Sequence, residues 1–205
     1  MKNILLVLLL VFSLQINAQQ RVVAECTINY TVVSDTLNQN NNYLASASKT
    51  VYIKGNDSRT DLISSAFSQT IIYDKASGNA VVLREIGNNK LITKLNKTQW
   101  HEKNKKFDSA VVNLFSDTKI LLGYECKKAT ITLKNGSITQ VYYTTAFVPS
   151  VREYEYNFKD IPGLVLEYES EEGKTKVKYI ATKIDLSPVS SSKFNVPTSG
   201  YRILN

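Results

Sequence analysis

The chain has one histidine, His101, set between Trp100 and Glu102. A histidine beside a carboxylate has the chemistry of a general acid–base pair. Residues adjacent in a helix do not face each other, however, so the pair predicts a solvated or edge-packed imidazole. A serine triad would have to be built on this one ring, and no Gly-x-Ser-x-Gly elbow is present to carry its nucleophile. Cys26 and Cys126 stand a hundred positions apart, and with a single histidine they do not make the spacing of a zinc site. Carboxylates recur at a spacing of two in Glu153/Glu155 and Glu167/Glu169. Two such groups on one strand face can act as acid and base, but tyrosines and lysines surround them and predict solvated strand faces. No glycine loop for phosphate is present. The expectation is a protein that is not an enzyme, with no catalytic residues, no cofactor and no metal.

Tyrosine is the more suggestive residue. Twelve are present, and Tyr52, Tyr73, Tyr124, Tyr142, Tyr143, Tyr154, Tyr156, Tyr168 and Tyr179 fall in or beside expected strands. An apolar body with a polar tip suits the rim of a hydrophobic groove; it is also ordinary in a strand. Alternation puts Leu164, Leu166 and Tyr168 on one side of a strand and Val177, Tyr179 and Ala181 on one side of the next. If the two strands pair in the right register, these six residues form one apolar patch, either a ligand face or a core.

The elements that must position these residues are strands. From Val22 to Val33 the chain alternates, with Val22, Ala24, Cys26, Ile28, Tyr30 and Val32 on one face. Further strands are predicted over 50–54, 59–64, 69–74, 80–86, 91–95, 129–133, 138–145, 164–170 and 175–184. Turns at Gly55-Asn56, Ala76–Asn79, Gly87–Asn89, Asn135-Gly136 and Glu172-Gly173 separate them. Asn135-Gly136 has the signature of a two-residue hairpin loop. One short helix is expected, capped by Thr98, running over Trp100–Lys106 and closed by Phe107. The pattern is an antiparallel meander without internal repeat or linker.

Residues 1–18 have the form of a secretory signal peptide: Lys2, the apolar run Ile4–Phe12, and Ala18 at the cleavage point. That leaves residues 19–205 as one β-rich domain. Cys26 follows Val23-Ala24-Glu25, which is not a lipidation site, so the expected location is the periplasm or the outer membrane without a lipid anchor. Two cysteines in an exported chain predict a Cys26–Cys126 disulfide, with two buried thiols as the alternative. The formal net charge of +7 favours anionic partners such as lipid head groups or envelope polysaccharide, or simply a soluble surface. No nucleic-acid module is present. Asp35-Thr36-Leu37 and Asp108-Ser109-Ala110 look like the tripeptides O-glycosylated in exported Bacteroidota proteins, at Thr36 and Ser109.

Gly123-Tyr124-Glu125-Cys126-Lys127-Lys128-Ala129 is similar to the G-Y-x-C-x-x-A segment of secreted Bacteroidota proteins of the GLPGLI family and its relatives with a lipoprotein-carrier-like (LolA-like) fold. Ile161-Pro162-Gly163-Leu164-Val165 matches the namesake motif at Pro162, Gly163 and Leu164, with Asp160 in place of its first glycine. Val51–Gly55 and Ser58-Arg59 also fit, as does the close at Phe194–Tyr201. Val141–Thr145 stands where the family has further elements, so the chain resembles the LolA-like relatives more than the strict family. The resemblance implies a strongly curved antiparallel sheet, a half-barrel or open barrel, whose concave face is covered by one or two short helices or loops. Carriers of that fold hold acyl chains in the concavity. The implied function is an exported, non-catalytic envelope protein that binds an acyl chain, lipid or lipoprotein; the alternative is a structural or interaction protein of the envelope whose concave face is filled by its own side chains. An open apolar tunnel would favour the first and a small cavity lined by tyrosine and leucine the second.

Overall fold

The computed structural model describes residues 20–34, 47–172 and 175–204. The signal peptide, Thr36, the 38–42 loop and the turn at Gly173 lie outside the described residues. Among the described residues, alternating sequence produces seven strands in the first half: β1 (Arg21–Val23), β2 (Glu25–Ser34), β3 (Ser48–Lys54), β4 (Asp57–Ile63), β5 (Phe67–Asp74), β6 (Asn79–Ile86) and β7 (Asn89–Leu95). Helix α1 (Lys97–Asn104) and a 3-10 turn at Lys105–Phe107 lead to β8 (Val111–Leu121), β9 (Tyr124–Thr132), β10 (Ile138–Thr144) and β11 (Phe147–Pro149). A segment with two 3-10 turns, Arg152–Tyr154 and Tyr156–Phe158, precedes β12 (Leu164–Glu172), β13 (Thr175–Asp185) and β14 (Arg202–Ile203).

Among the described residues twelve strands form one open sheet in the order β14-β7-β6-β5-β4-β3-β2-β13-β12-β10-β9-β8. It is two antiparallel meanders, β2–β7 and β8–β13, joined where β2 pairs with β13 from Val177↔Ser34 to Asp185↔Thr27. Two short pairings are parallel, not antiparallel as expected: β1 with β11 and β14 with β7. The sheet cannot be flat. Ten inter-strand steps separate β7 from β8, about 48 Å in a flat sheet. The helix, the 3-10 turn and the flanking loops that join Leu95 to Val111 reach at most about 39 Å. The chain can make that crossing only if the sheet curls.

The inner face of the curl is the core. Ile28, Val51, Ile53, Val177 and Leu166 are fully buried there, and the segment 150–163 lies across it. Its anchors are polar bonds to the first meander: Ser150 Oγ donates to the Gly55 carbonyl at 2.7 Å, Lys75 Nζ to the Ser150 carbonyl at 2.8 Å, and Thr60 Oγ1 to the Tyr154 carbonyl at 3.2 Å.

Four sequence expectations are corrected. The 22–33 strand is broken at Ala24, where the chain leaves β11 and joins β3; Val22 is consequently 65% exposed while Val23 is buried. The Asn135-Gly136 loop holds three residues, not two, because the Leu133 amide donates to the Ser137 carbonyl around Lys134-Asn135-Gly136. Asn96, not Thr98, caps α1, in a capping box with Gln99. The predicted disulfide is absent: Cys26 and Cys126 are free and buried. β2 and β9 stand four steps apart in the sheet, whereas a bridge needs Cα atoms within about 7 Å.

Gly163 has a steric cause. A Cβ there would lie 2.1 Å from the Thr144 carbonyl oxygen, so only glycine lets β12 enter the sheet against β10. Gly163→Ala is expected to lower unfolding stability by about 3 kcal/mol, measured by urea denaturation. Burial pushes the thiols up, Cys26 to about 12 and Cys126 to about 11, which suppresses the thiolate. A thiol-reactive dye should therefore count two free thiols in denatured, non-reduced protein and label neither at once in the native state. A dye-silent denatured chain would restore the bridge.

Candidate functional site

β3 alternates Lys49, Val51 and Ile53 onto the inner face, so a lysine is carried into the core, where it is only 5% exposed. Its ammonium pairs with Glu155 and donates to the Tyr168 hydroxyl at 2.5 Å. It also stands 5.0 Å from the centre of the Tyr168 ring and 5.1 Å from that of Tyr179. These two rings meet because Tyr168 and Tyr179 are directly paired across β12 and β13. They stack 4.5 Å apart at 6°. Tyr30 donates to the Val165 carbonyl at 2.7 Å, and Phe158 sits edge-on to Tyr168 at 4.9 Å. Burial holds the Tyr30 and Tyr168 phenols well above their ordinary range.

The sequence-predicted face is therefore assembled, and it is closed. Leu164, Leu166, Tyr168, Val177, Tyr179 and Ala181 are all buried, Tyr168 and Tyr179 under the lysine and Phe158. The other motif residues have packing duties. Leu122 and Gly123 turn the chain between β8 and β9 at φ +51° and +80°, a type I′ loop that strains the leucine and suits the glycine. Tyr124 packs edge-on against Phe147 at 5.0 Å. Ile161 is buried and Pro162 half-buried. Tyr201 in the C-terminal motif bonds Glu85 on β6.

Of the paired carboxylates only Glu169 stands partly solvated on a strand face. Glu153 and Glu155 belong to the 3-10 segment. Glu167 is buried on the outer face of β12 between Lys119 at 2.6 Å and Lys178 at 3.0 Å, and this pairing holds the Lys178 ammonium above its ordinary range. Glu169 is left 3.9 Å from Lys178. His101 does not meet Glu102, whose carboxylate goes to Lys105; it meets Asp108 at 3.3 Å. Ser109 is exposed in the turn that follows. Among the described residues no group of three His, Cys, Asp or Glu is placed to hold a metal ion.

Beside the lysine, between β5, α1 and the 3-10 segment, a cavity of about 200 Å³ remains open. Ile71 and Tyr73 of β5, Trp100 and Asn104 of α1, Phe107, Glu153, Tyr154 and Tyr156 line it, with Glu155, Asn157 and Ser170. Tyr73 stacks on Trp100 at 6.0 Å and 30°, Tyr156 meets Trp100 edge-on at 6.5 Å, and Phe107 lies 6.3 Å from Tyr156. The Tyr156 hydroxyl donates to Asp108 at 3.3 Å and touches His101 Nδ1 at 3.3 Å, so His101 braces one wall. Trp100 is the one buried residue of α1 and anchors that helix. Three buried side-chain polar atoms among the described residues have no hydrogen-bond partner: Trp100 Nε1, Glu153 Oε2 and the Tyr154 hydroxyl. All three belong to residues that line this cavity. Such groups cost about 1–3 kcal/mol each when left unpaired; the Tyr154 hydroxyl stands in the core beside Tyr30, whereas Trp100 Nε1 and Glu153 Oε2 belong to two residues lining one open space, a place for a ligand or ordered water. Sequence reasoning weighed Glu153 only as half of a carboxylate pair and Trp100 only as a neighbour of His101; the available signal for this cavity was a lone tryptophan in the otherwise polar stretch Lys97–Asn104.

No protein-family model matches the chain, and no curated protein matches it in sequence. Among solved structures it is similar to PNGF-II in two crystal forms, with TM-scores of 0.41 and 0.43 and identities of 15% and 13%. These likenesses cover 87% and 88% of this chain but 30% and 32% of those chains, so the chain spans about a third of their length. LprF from Mycobacterium bovis is similar at TM-score 0.34 and 7% identity over 82% of this chain and 89% of that one. Likenesses at this level assign the chain no activity.

Glu155→Gln would leave the Lys49 ammonium buried without its counter-charge. It is expected to cost about 3 kcal/mol in urea unfolding, whereas Lys49→Met combined with Glu155→Leu should recover most of the loss. A double variant whose loss equals the sum of the losses of Lys49→Met and Glu155→Leu made singly would show that the pair is not energetically coupled.

Proposed function

We propose that the chain is an exported, non-catalytic binding protein of the cell envelope, a half-barrel of the LolA-like kind to which its GLPGLI-like motifs point, with its ligand held in the aromatic cavity at the edge of the concave face. The observation that carries this reading is the pair of unpartnered buried atoms, Trp100 Nε1 and Glu153 Oε2, in residues lining one open cavity. The short β7–β8 crossing supports the half-barrel, since it requires a strongly curled sheet. An acyl chain or lipoprotein tail is not the first choice of ligand: the six residues expected to line its groove are buried, and such a chain would enter only by displacing Tyr154 and Phe158. That same burial favours the second reading, a structural or interaction protein of the periplasm or outer membrane with its concave face filled.

Native mass spectrometry after mild extraction from the source cell separates these readings. The expected result is a small polar adduct that Trp100→Leu removes while the protein stays folded. A co-extracted acyl lipid would return the ligand to the concave face, and a bare chain would favour the structural protein.

A further inference from the structure

We infer that the cavity takes a small organic ammonium cation carrying an oxygen acceptor, an amine of the amino-alcohol type; this deepens the binding reading above and rests on it. The two orphaned atoms ask for opposite things. Trp100 Nε1 is a donor and nothing else, so its partner must be an acceptor. Trp100 is only 7% exposed, so bulk water does not readily supply one. Glu153 Oε2 is an acceptor and needs a donor.

Charge decides what kind of donor. The neighbouring carboxylates are already matched: Glu155 pairs with Lys49, and Asp108 holds His101 and Tyr156. Glu153 forms no ion pair among the described residues, in a chain with 25 lysines and arginines. The walls around it are the rings of Tyr73, Trp100, Phe107 and Tyr156, whose faces carry partial negative charge and attract ammonium groups. A carboxylate inside an aromatic box is the recognition chemistry of a primary or methylated amine. A neutral sugar hydroxyl would satisfy both orphaned atoms and leave the carboxylate charge uncompensated. A hydroxyl or ester oxygen next to the ammonium supplies what the indole N–H lacks.

Trp100 is the single tryptophan of the chain, so intrinsic tryptophan fluorescence reports this cavity alone. Titration with ethanolamine and with choline is expected to change the emission saturably, and the uncharged carbon isostere of choline should bind at least about tenfold more weakly. Glu153→Gln should weaken the amines by a similar factor with no loss of thermal stability, since no protein bond to Oε2 is broken. Vesicles of phosphatidylethanolamine that compete with free ethanolamine would identify a lipid head group as the source of the amine, and vesicles that fail to compete a free amine; both outcomes support the ammonium class. Equal binding of the isostere, or a response to glucose alone, would overturn the cation while leaving a binding protein. No response to any of these probes would overturn the cation and assign the cavity to ordered water; a chain also bare by native mass spectrometry would remove the binding reading as well.

Discussion

The seam between β2 and β13 is the interaction on which the rest of the molecule depends. Each meander alone is a run of local hairpins with one face unprotected. Pairing residues 27–34 with 177–185 unites strands from opposite ends of the sequence, at the entropic cost of closing a long loop. The connection through α1 is too short to span the united sheet if flat, so joining the meanders and curling the sheet are one event. Curling gives the sheet an inside, and Tyr30, Val32, Tyr179 and Ala181, which flank the seam, become core.

A concave wall of this width cannot be filled by aliphatic side chains from its own strands. The 150–163 segment fills it by laying Phe158 against Tyr168 with Tyr154 packed on Phe158, and it brings Glu155 to Lys49. The buried lysine is more a device of position than a source of stability: its partners come from β12, β13 and the covering segment, so the segment fits in one way. The same segment, fixed at Tyr154 and Glu155, holds Glu153 and Tyr156 against Trp100 without filling the space between them. The cavity is what remains when flat rings are packed on a curved wall.

Much of this was legible in the sequence. Alternation located most strands, and the pairing that brings Tyr168 beside Tyr179 put the two apolar triplets on the same side. What periodicity could not show was which neighbour a side chain meets. Glu167 alternates with Leu166 and Tyr168 in sequence as a solvated residue would, yet β12 lies between covered faces and Lys119 and Lys178 come to it from other strands. The cysteines lie in strands, as expected, but strand order sets their separation, and strand order is fixed by pairings distant in sequence. β8 was overlooked because Asn113, Ser116 and Asp117 interrupt its alternation. The lone tryptophan in a polar helix was visible, but its meaning depended on Glu153, some fifty residues later.

β8 carries a further consequence of the strand order. Among the described residues it is an outer edge of the sheet, eleven residues long, with Val111, Leu114, Phe115 and Ile120 exposed. A long apolar edge is a template on which further strands can add without limit. Its register with β9 slips between Leu114 and Thr118, and that irregularity falls in the middle of the strand. An incoming straight strand therefore finds two short, offset docking stretches in place of one continuous ladder, with Asp117 and Lys119 near the break. The bulge thus divides the exposed edge into pieces too short for one continuous added ladder.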